Sequence, residues 1–274
     1  MPPLPSRRDP ALRAVVRARH PLTYTAPPPP DADVPPHVRA GSGLTWWRGR
    51  LAVAQDDVHA VGLVSVDAEG TPRATEPLLL PRGPGGARVF GDDRGTKALK
   101  LDLEAAVSVT CPVDGDEVLL VFGSGSLPRR EHVALVRGGE PPALVHAPAL
   151  YAALRATRTF AGSDMNIEGA ALVPGRTGAA VRLFNRGNGA PGKGLAPVNA
   201  HADLDLRRLL AYLEHGTPPP PPENVTAYAL GEKRGVALGF TGATSLQDGR
   251  MLVVLAAEDS PDATRDGAVA GAAL

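Results

Sequence analysis

One cysteine, Cys111, stands in 274 residues, which excludes an intramolecular disulfide. It closes an apolar run, the usual setting of a buried structural thiol, and no base stands near it to make it a nucleophile. Long hydrophobic runs are missing as well. No stretch reaches the roughly 18 uninterrupted apolar residues of a membrane span. The N-terminus, "MPPLPSRRDPALRAVVRARHPLTYTAPPPPDADVPP", carries charges but lacks the continuous apolar core of about 7–15 residues that makes a secretory signal. A cytoplasmic protein without a membrane partner is the simplest inference, and "NVT" at Asn224 then reads as an idle glycosylation sequon. Charge of one sign is also lacking. Acidic and basic residues balance at 29 each, and no Lys/Arg run supplies the electrostatic footprint of a nucleic-acid binder.

What is present is apolar sequence, 43% of the chain, enough for one large core or two modest ones. Proline runs at 27–30 and 218–222 cannot join a central strand or a helix, so they read as stiff loops. One pattern is written four times: "SGLTWWRGRLAVAQDD" from Ser42, "LEAAVSVTCPVDGDEVLLVFGSGS" from Leu103, "IEGAALVPGRTGAAVRLFNRGNG" from Ile167 and "FTGATSLQDGRMLVVLAAEDS" from Phe240. Each copy has a polar residue, a small residue, an apolar strand, a turn, a second apolar strand and a polar cluster, which is a β-hairpin signature. Gly43, Ala105, Gly169 and Gly242 align, 62, 64 and 73 residues apart, leaving room for two further strands per unit. "AVGLVSVD", "EPLLLP", "HVALVRG" and "NVTAYALG" are candidates for these.

Repeated antiparallel units predict an all-β fold, a β-propeller of about five or six four-stranded blades with short helical insertions, over residues 41–274. A β-sandwich with irregular loops is the alternative. Stretches 147–157 and 202–216 carry helical spacing, with Leu206, Leu209, Leu210 and Leu213 on one side of the second. Residues 1–40 form a Pro-rich segment able to contribute one strand. The C-terminal "GAVAGAAL" stops about where a third strand of the last unit would begin, so either an N-terminal strand such as "LRAVVRARH" completes that unit or the chain is a fragment.

In a blade the innermost strand and the second strand run antiparallel, so the start of one and the end of the other share a face of the channel. That places Ser42, Glu104, Glu168 and Thr241 beside Asp56–Asp57, Ser124–Ser126, Asn185–Asn188 and Glu258–Asp259. It also accounts for Glu168 in "SDMNIEGAALV", a carboxylate at the head of a buried strand. A polar channel mouth spares it the several kcal/mol that an unpaired buried charge costs. The candidate ligand-binding set is Asp56, Asp57, Ser124, Asn166, Asn185, Arg186, Glu258 and Asp259. Carboxylate oxygens without His or Cys suit Ca²⁺ or Mg²⁺ better than zinc, which makes Glu104, Glu168 and Glu258 candidate ligands of a Ca²⁺ cofactor. Water-bridged polar residues that only stitch blades together are the competing reading.

"NIEGAALV", with "DLEAAVSV" as its companion, resembles the strand entrance of the phytase-like and esterase-like propellers of bacteria, and "FGSGSLPRREHVAL" and "AAEDSPDATRDGAVAG" resemble segments of an uncharacterised bacterial branch of that group. The likeness covers roughly residues 40–274. It implies a propeller with a polar mouth and permits metal-assisted hydrolysis of phosphate or carboxylic esters, in which Glu168 and Glu104 hold the metal and Arg129 or Arg130 neutralises developing charge. The other reading is a non-catalytic scaffold that binds a protein or a small molecule. No nucleotide or redox cofactor is expected. "GNGAPGKG" at 187–194 nearly spells a P-loop, but Gly194 replaces the metal-holding Ser/Thr and Pro197 follows in place of a helix. The histidines, His59, His132, His146, His201 and His215 among them, show no zinc-site spacing.

Overall fold

A computed structural model of the chain describes residues 2–192, 194–260, 262 and 267–274. Strand β1 (Leu4–Pro5) lies in the N-terminal segment, and four antiparallel sheets follow. The first contains β2 (Gly41–Trp47), β3 (Arg50–Gln55), β4 (Ala60–Val66) and β5 (Pro72–Leu79). The second contains β6 (Leu103–Thr110), β7 (Glu117–Gly123), β8 (His132–Val136) and β9 (Ala143–His146). The third contains β10 (Ile167–Pro174), β11 (Ala179–Asn185), β12 (Asn199–Asp205) and β13 (Glu223–Ala229). The fourth contains the two-residue β14 (Glu232–Lys233), β15 (Val236–Ser245), β16 (Met251–Asp259) and β17 (Ala268–Ala273). Each repeated hairpin of the sequence forms the inner pair of one sheet: β2–β3, β6–β7, β10–β11 and β15–β16. The inner strands β2, β6, β10 and β15 pack side by side in that order, and β15 returns to β2, so the sheets are the blades of a propeller.

There are four blades, not the five or six expected. Each unit takes more than 60 residues because outer strands, 3₁₀ turns between Pro84 and Leu99 and helices are strung between the hairpins, and the ring closes at four, where β15 meets β2. The "LRAVVRARH" stretch forms no strand. β17 itself takes the third position of the last blade, and the N-terminal strand is β1, which pairs in parallel with β13 on the outer edge of blade three (Leu4 with Tyr228, Pro5 with Ala229).

Helices α1 (Pro148–Ala156) and α2 (Arg158–Ala161) pack into the seam between blades two and three near the β7 exit, where Tyr151 donates to the Gly123 carbonyl, and α3 (Leu206–His215) packs into the same seam at the far end of β12. In α3 the Asp205 side chain caps the first turn by accepting from the Arg208 N–H at 2.9 Å, and Gly216 ends the helix at φ 66°. Leu206, Leu209, Leu210 and Leu213 are buried, each contributing about 2 kcal/mol. Residues 202–205, assigned to this helix by spacing, belong instead to β12.

Apolar clusters fill three seams. Trp47, Leu63, Leu119 and Val121 lie between blades one and two, and Val107, Leu120, Tyr151, Ile167 and Leu183 between two and three. Phe184, Phe240 and Leu255 lie between three and four, with the two phenyl rings edge-on at 5.0 Å. Among the described residues no comparable cluster forms between blades four and one. No helix among them is long and apolar enough to cross a membrane.

Candidate functional site

The register of every inner hairpin slips by one residue at the same place: between Gly41 and Gly43, Leu103 and Ala105, Ile167 and Gly169, and Phe240 and Gly242. The bulged residues are Ser42, Glu104, Glu168 and Thr241. A bulge re-aims one side chain without breaking the strand, and here it releases the polar residue of each repeat from the core-facing alternation. The small residue that follows has a steric cause. A Cβ added at Gly43 would lie 2.7 Å from the Glu104 carbonyl oxygen and the Ala106 nitrogen of the next inner strand, and one at Gly169 would lie 3.3 Å from Ala243.

Two networks meet at this mouth. In the first, Lys100 Nζ stands 2.7 Å from Asp56 and 2.8 Å from Asp102, while Arg130 reaches the other Asp102 oxygen at 2.6 Å. Ser124 donates to Asp102 at 2.6 Å, and Arg130 also donates to Ser126 at 2.7 Å. One oxygen each of Asp56, Asp102 and Glu104 lie within 4.8 Å of one another. In the second network Asn166 donates to Glu168 at 2.8 Å, and Arg186 spans Glu168 at 3.3 Å and Glu258 at 2.8 Å. Glu258 also accepts from Ser260 and from the Gly267 N–H, both at 2.8 Å. Asn185 accepts the Asn166 N–H at 2.7 Å and donates to the Val198 carbonyl, fixing the start of β10 to the chain ahead of β12.

Five carboxylates thus share the mouth with three cations, leaving two negative charges in excess when all are ionised. The protons respond accordingly. Burial, with Glu168, Asp102 and Asp56 adding repulsion, pushes Glu104 well above the ordinary carboxylate range. Burial also pushes Glu168 up to about 7, against the pull of Arg186. Asp56 rises through burial despite Lys100. Lys100 rises in its turn, because Asp102 and Asp56 outweigh the burial that alone would lower it. Glu258 goes the other way, since the Gly267 N–H, Ser260 and Arg186 outweigh its burial.

Of the residues singled out in the sequence, the structure brings Asp56, Glu104, Ser124, Arg130, Asn166, Glu168, Asn185, Arg186 and Glu258 to this mouth. Arg129 stands exposed, with its carbonyl 3.0 Å from His132 Nδ1, and Asp259 is exposed at the end of β16. Asp57 pairs with Arg39. Glu258 faces Glu168 across the Arg186 guanidinium, so the carboxylates near enough to share an ion are Asp56, Asp102 and Glu104. Lys100 and Asp102 escaped the sequence reading. Asp102 had a signal, because "DLE" holds it two places before Glu104 as "NIE" holds Asn166 before Glu168. In the P-loop-like stretch Lys193 lies outside the described residues.

Residues 37–274 match DUF6929, a family of unknown function, and the chain belongs to that family. No curated protein matches the chain.

Proposed function

We propose that the channel mouth binds a hard divalent cation, Ca²⁺ before Mg²⁺, and that this chain is a ligand-binding propeller organised by that ion. The carrying observation is the excess of two negative charges at a place where burial already drives Glu104 and Glu168 toward protonation. A divalent ion neutralises the excess and releases both protons. The donor set fits. Asp56 Oδ1 is buried without a partner, no hydrogen-bond donor meets the Glu104 carboxylate among the described residues, and oxygen ligands of adaptable geometry suit Ca²⁺. Asp56, Asp102 and Glu104 would hold the ion, and Lys100 would yield its place between the two aspartates.

The likeness to phytase-like and esterase-like propellers suggests ester hydrolysis, for which a held ion would supply an activated water. The surroundings favour binding. Arg130, the guanidinium at hand for a developing charge, is engaged by Asp102 and Ser126, and Arg129 is outside the mouth. Melting the protein in EDTA, then with excess Ca²⁺ or Mg²⁺, tests the site. At a hundred times its dissociation constant the ion stabilises the fold by about 2.7 kcal/mol, a rise of several degrees. The rise is expected with Ca²⁺ and absent in Glu104→Gln. An unchanged melt in the unmodified protein sinks the proposal and leaves the mouth as a hydrated seam between blades.

A further inference from the structure

We propose that Asn188 is a self-modifying site, which loses its side-chain amide to water and so adds a carboxylate to the channel mouth. The chain has five asparagines, and Asn188 alone precedes a glycine. In an Asn-Gly pair no side chain on the second residue shields its backbone nitrogen. That nitrogen, here of Gly189, attacks Asn188 Cγ, expels the amide as ammonia and closes a succinimide ring. Water then opens the ring at either carbonyl, giving aspartate or isoaspartate. One water is consumed, one ammonia is released, and a negative charge stands where a neutral amide was.

The fold leaves room for this step. Asn188 lies half-buried in the irregular connection from β11 to β12. The connection is fixed at its start, where the Arg186 N–H bonds the Asn166 carbonyl and the Gly187 N–H bonds Asn199 Oδ1, both at 2.8 Å, and again where Gly192 and Leu195 exchange backbone hydrogen bonds. Between these points the N–H groups of Asn188, Gly189 and Ala190 meet no acceptor among the described residues, and Pro191 has no N–H. Rotation about the Asn188 Cα–C bond, which brings the Gly189 nitrogen behind the side chain, therefore costs none of these donors a partner. The other four asparagines each precede a residue with a side chain, and Asn185, Asn199 and Asn224 lie within β11, β12 and β13.

The structure also keeps the labile pair in place. A Cβ on residue 189 would lie 2.6 Å from Asp164 Cβ and Oδ2, so the position takes glycine. Asn188 Oδ1 accepts from Asn166 Nδ2 at 3.3 Å, and the same amide donates to Glu168 at 2.8 Å. The new carboxylate would share that donor with Glu168 and raise the excess of negative charge at the mouth from two to three. Like charges this close, in partly buried surroundings, lower the stability of the fold.

Trypsin makes the test direct, because Arg186 and Lys193 bracket a peptide, 187–193, in which Asn188 is the one asparagine. The full-length protein is incubated in mildly alkaline buffer, folded and in urea, and digested at intervals for mass spectrometry. The expected result is conversion of this peptide to its acid form in the folded protein, at a rate comparable to that in urea, while the other four asparagines keep their amides. A peptide that stays amidated in the folded protein would show that the fold protects Asn188, and earlier loss at another asparagine would place the chemistry elsewhere; either overturns the proposal. Asn188→Asp, made directly, should melt several degrees below Asn188→Gln at alkaline pH in EDTA. Equal melts would overturn the placing of the new charge at the mouth.

Discussion

Removing the charge of Glu168 should stabilise the protein at alkaline pH and leave it unchanged in acid. In the folded chain burial holds this carboxyl up to about 7, against its ordinary 4.5. The unfolded chain therefore releases the proton near 4.5 and the folded chain near 7, so between these values the folded state binds more protons. Stability then falls as pH rises; the contribution is complete below 4.5 and lost once pH has passed through 7. Two and a half pH units correspond to about 3 kcal/mol. His59 and His201, held neutral by burial and lowered to about 4, act in the opposite sense below pH 6.5. Comparing the native protein with Glu168→Gln at every pH cancels them. In Gln the Asn166 contact can persist and Arg186 keeps Glu258. The difference in melting temperature, measured in EDTA from pH 4.5 to 8.5, should grow by roughly 6 °C in favour of Gln. Parallel curves for the two proteins would refute the buried-carboxylate reasoning. Saturating Ca²⁺ should reduce the native protein's loss of stability above pH 7, because an ion held by Asp56, Asp102 and Glu104 offsets part of the repulsion that Glu168 meets when it ionises.

Asp102→Asn leaves Lys100 and Arg130, both nearly buried, without their shared counter-ion, and should cost about 3–5 kcal/mol in urea unfolding. A loss under about 1 kcal/mol would show that water carries these charges. Gly43→Ala forces a methyl against the Glu104 carbonyl and should lower the melting temperature by several degrees, while Gly242→Ala, whose nearest neighbour is 3.9 Å away, should be tolerated. Equal effects from the two substitutions would remove the steric account of the repeat.

The inner hairpins were legible because each one repeats a local rule: a polar bulge residue, a small residue where the next backbone passes, and alternating apolar residues after it. Gly43, Ala105, Gly169 and Gly242 carry that rule without reference to the rest of the chain. The number of blades was not legible in the same way, since it depends on which inner strands meet to close the ring, here β15 and β2. The place of the N-terminal strand depends on which outer edge is free. β13 offers such an edge to Leu4–Pro5, whereas β16 is already taken by β17. Lys100 precedes the repeat, and Asp102, between it and the bulge, holds φ 58°, a left-handed conformation that an aspartate adopts more readily than most side chains.

The site itself arises where the repeat departs from its own symmetry. Matching the bulges places Asp102, Asn166 and Gly239 at one position, Glu104, Glu168 and Thr241 at the next, and Ser124, Arg186 and Ala256 across the hairpin. Blade four has the smaller residue at all three. At Gly239 the reason is visible: a Cβ there would lie 2.7 Å from Arg186 Cγ, so the absent side chain is the room through which Arg186 reaches Glu258. Four equal copies would have ringed the axis with four carboxylates and their repulsion. Ser42 and Thr241 take the carboxylate's position in blades one and four, and the smaller residues of blade four admit a guanidinium that binds blade three to blade four through Glu168 and Glu258, with the remaining negative charge on the side of Asp56, Asp102 and Glu104, where an ion can meet it.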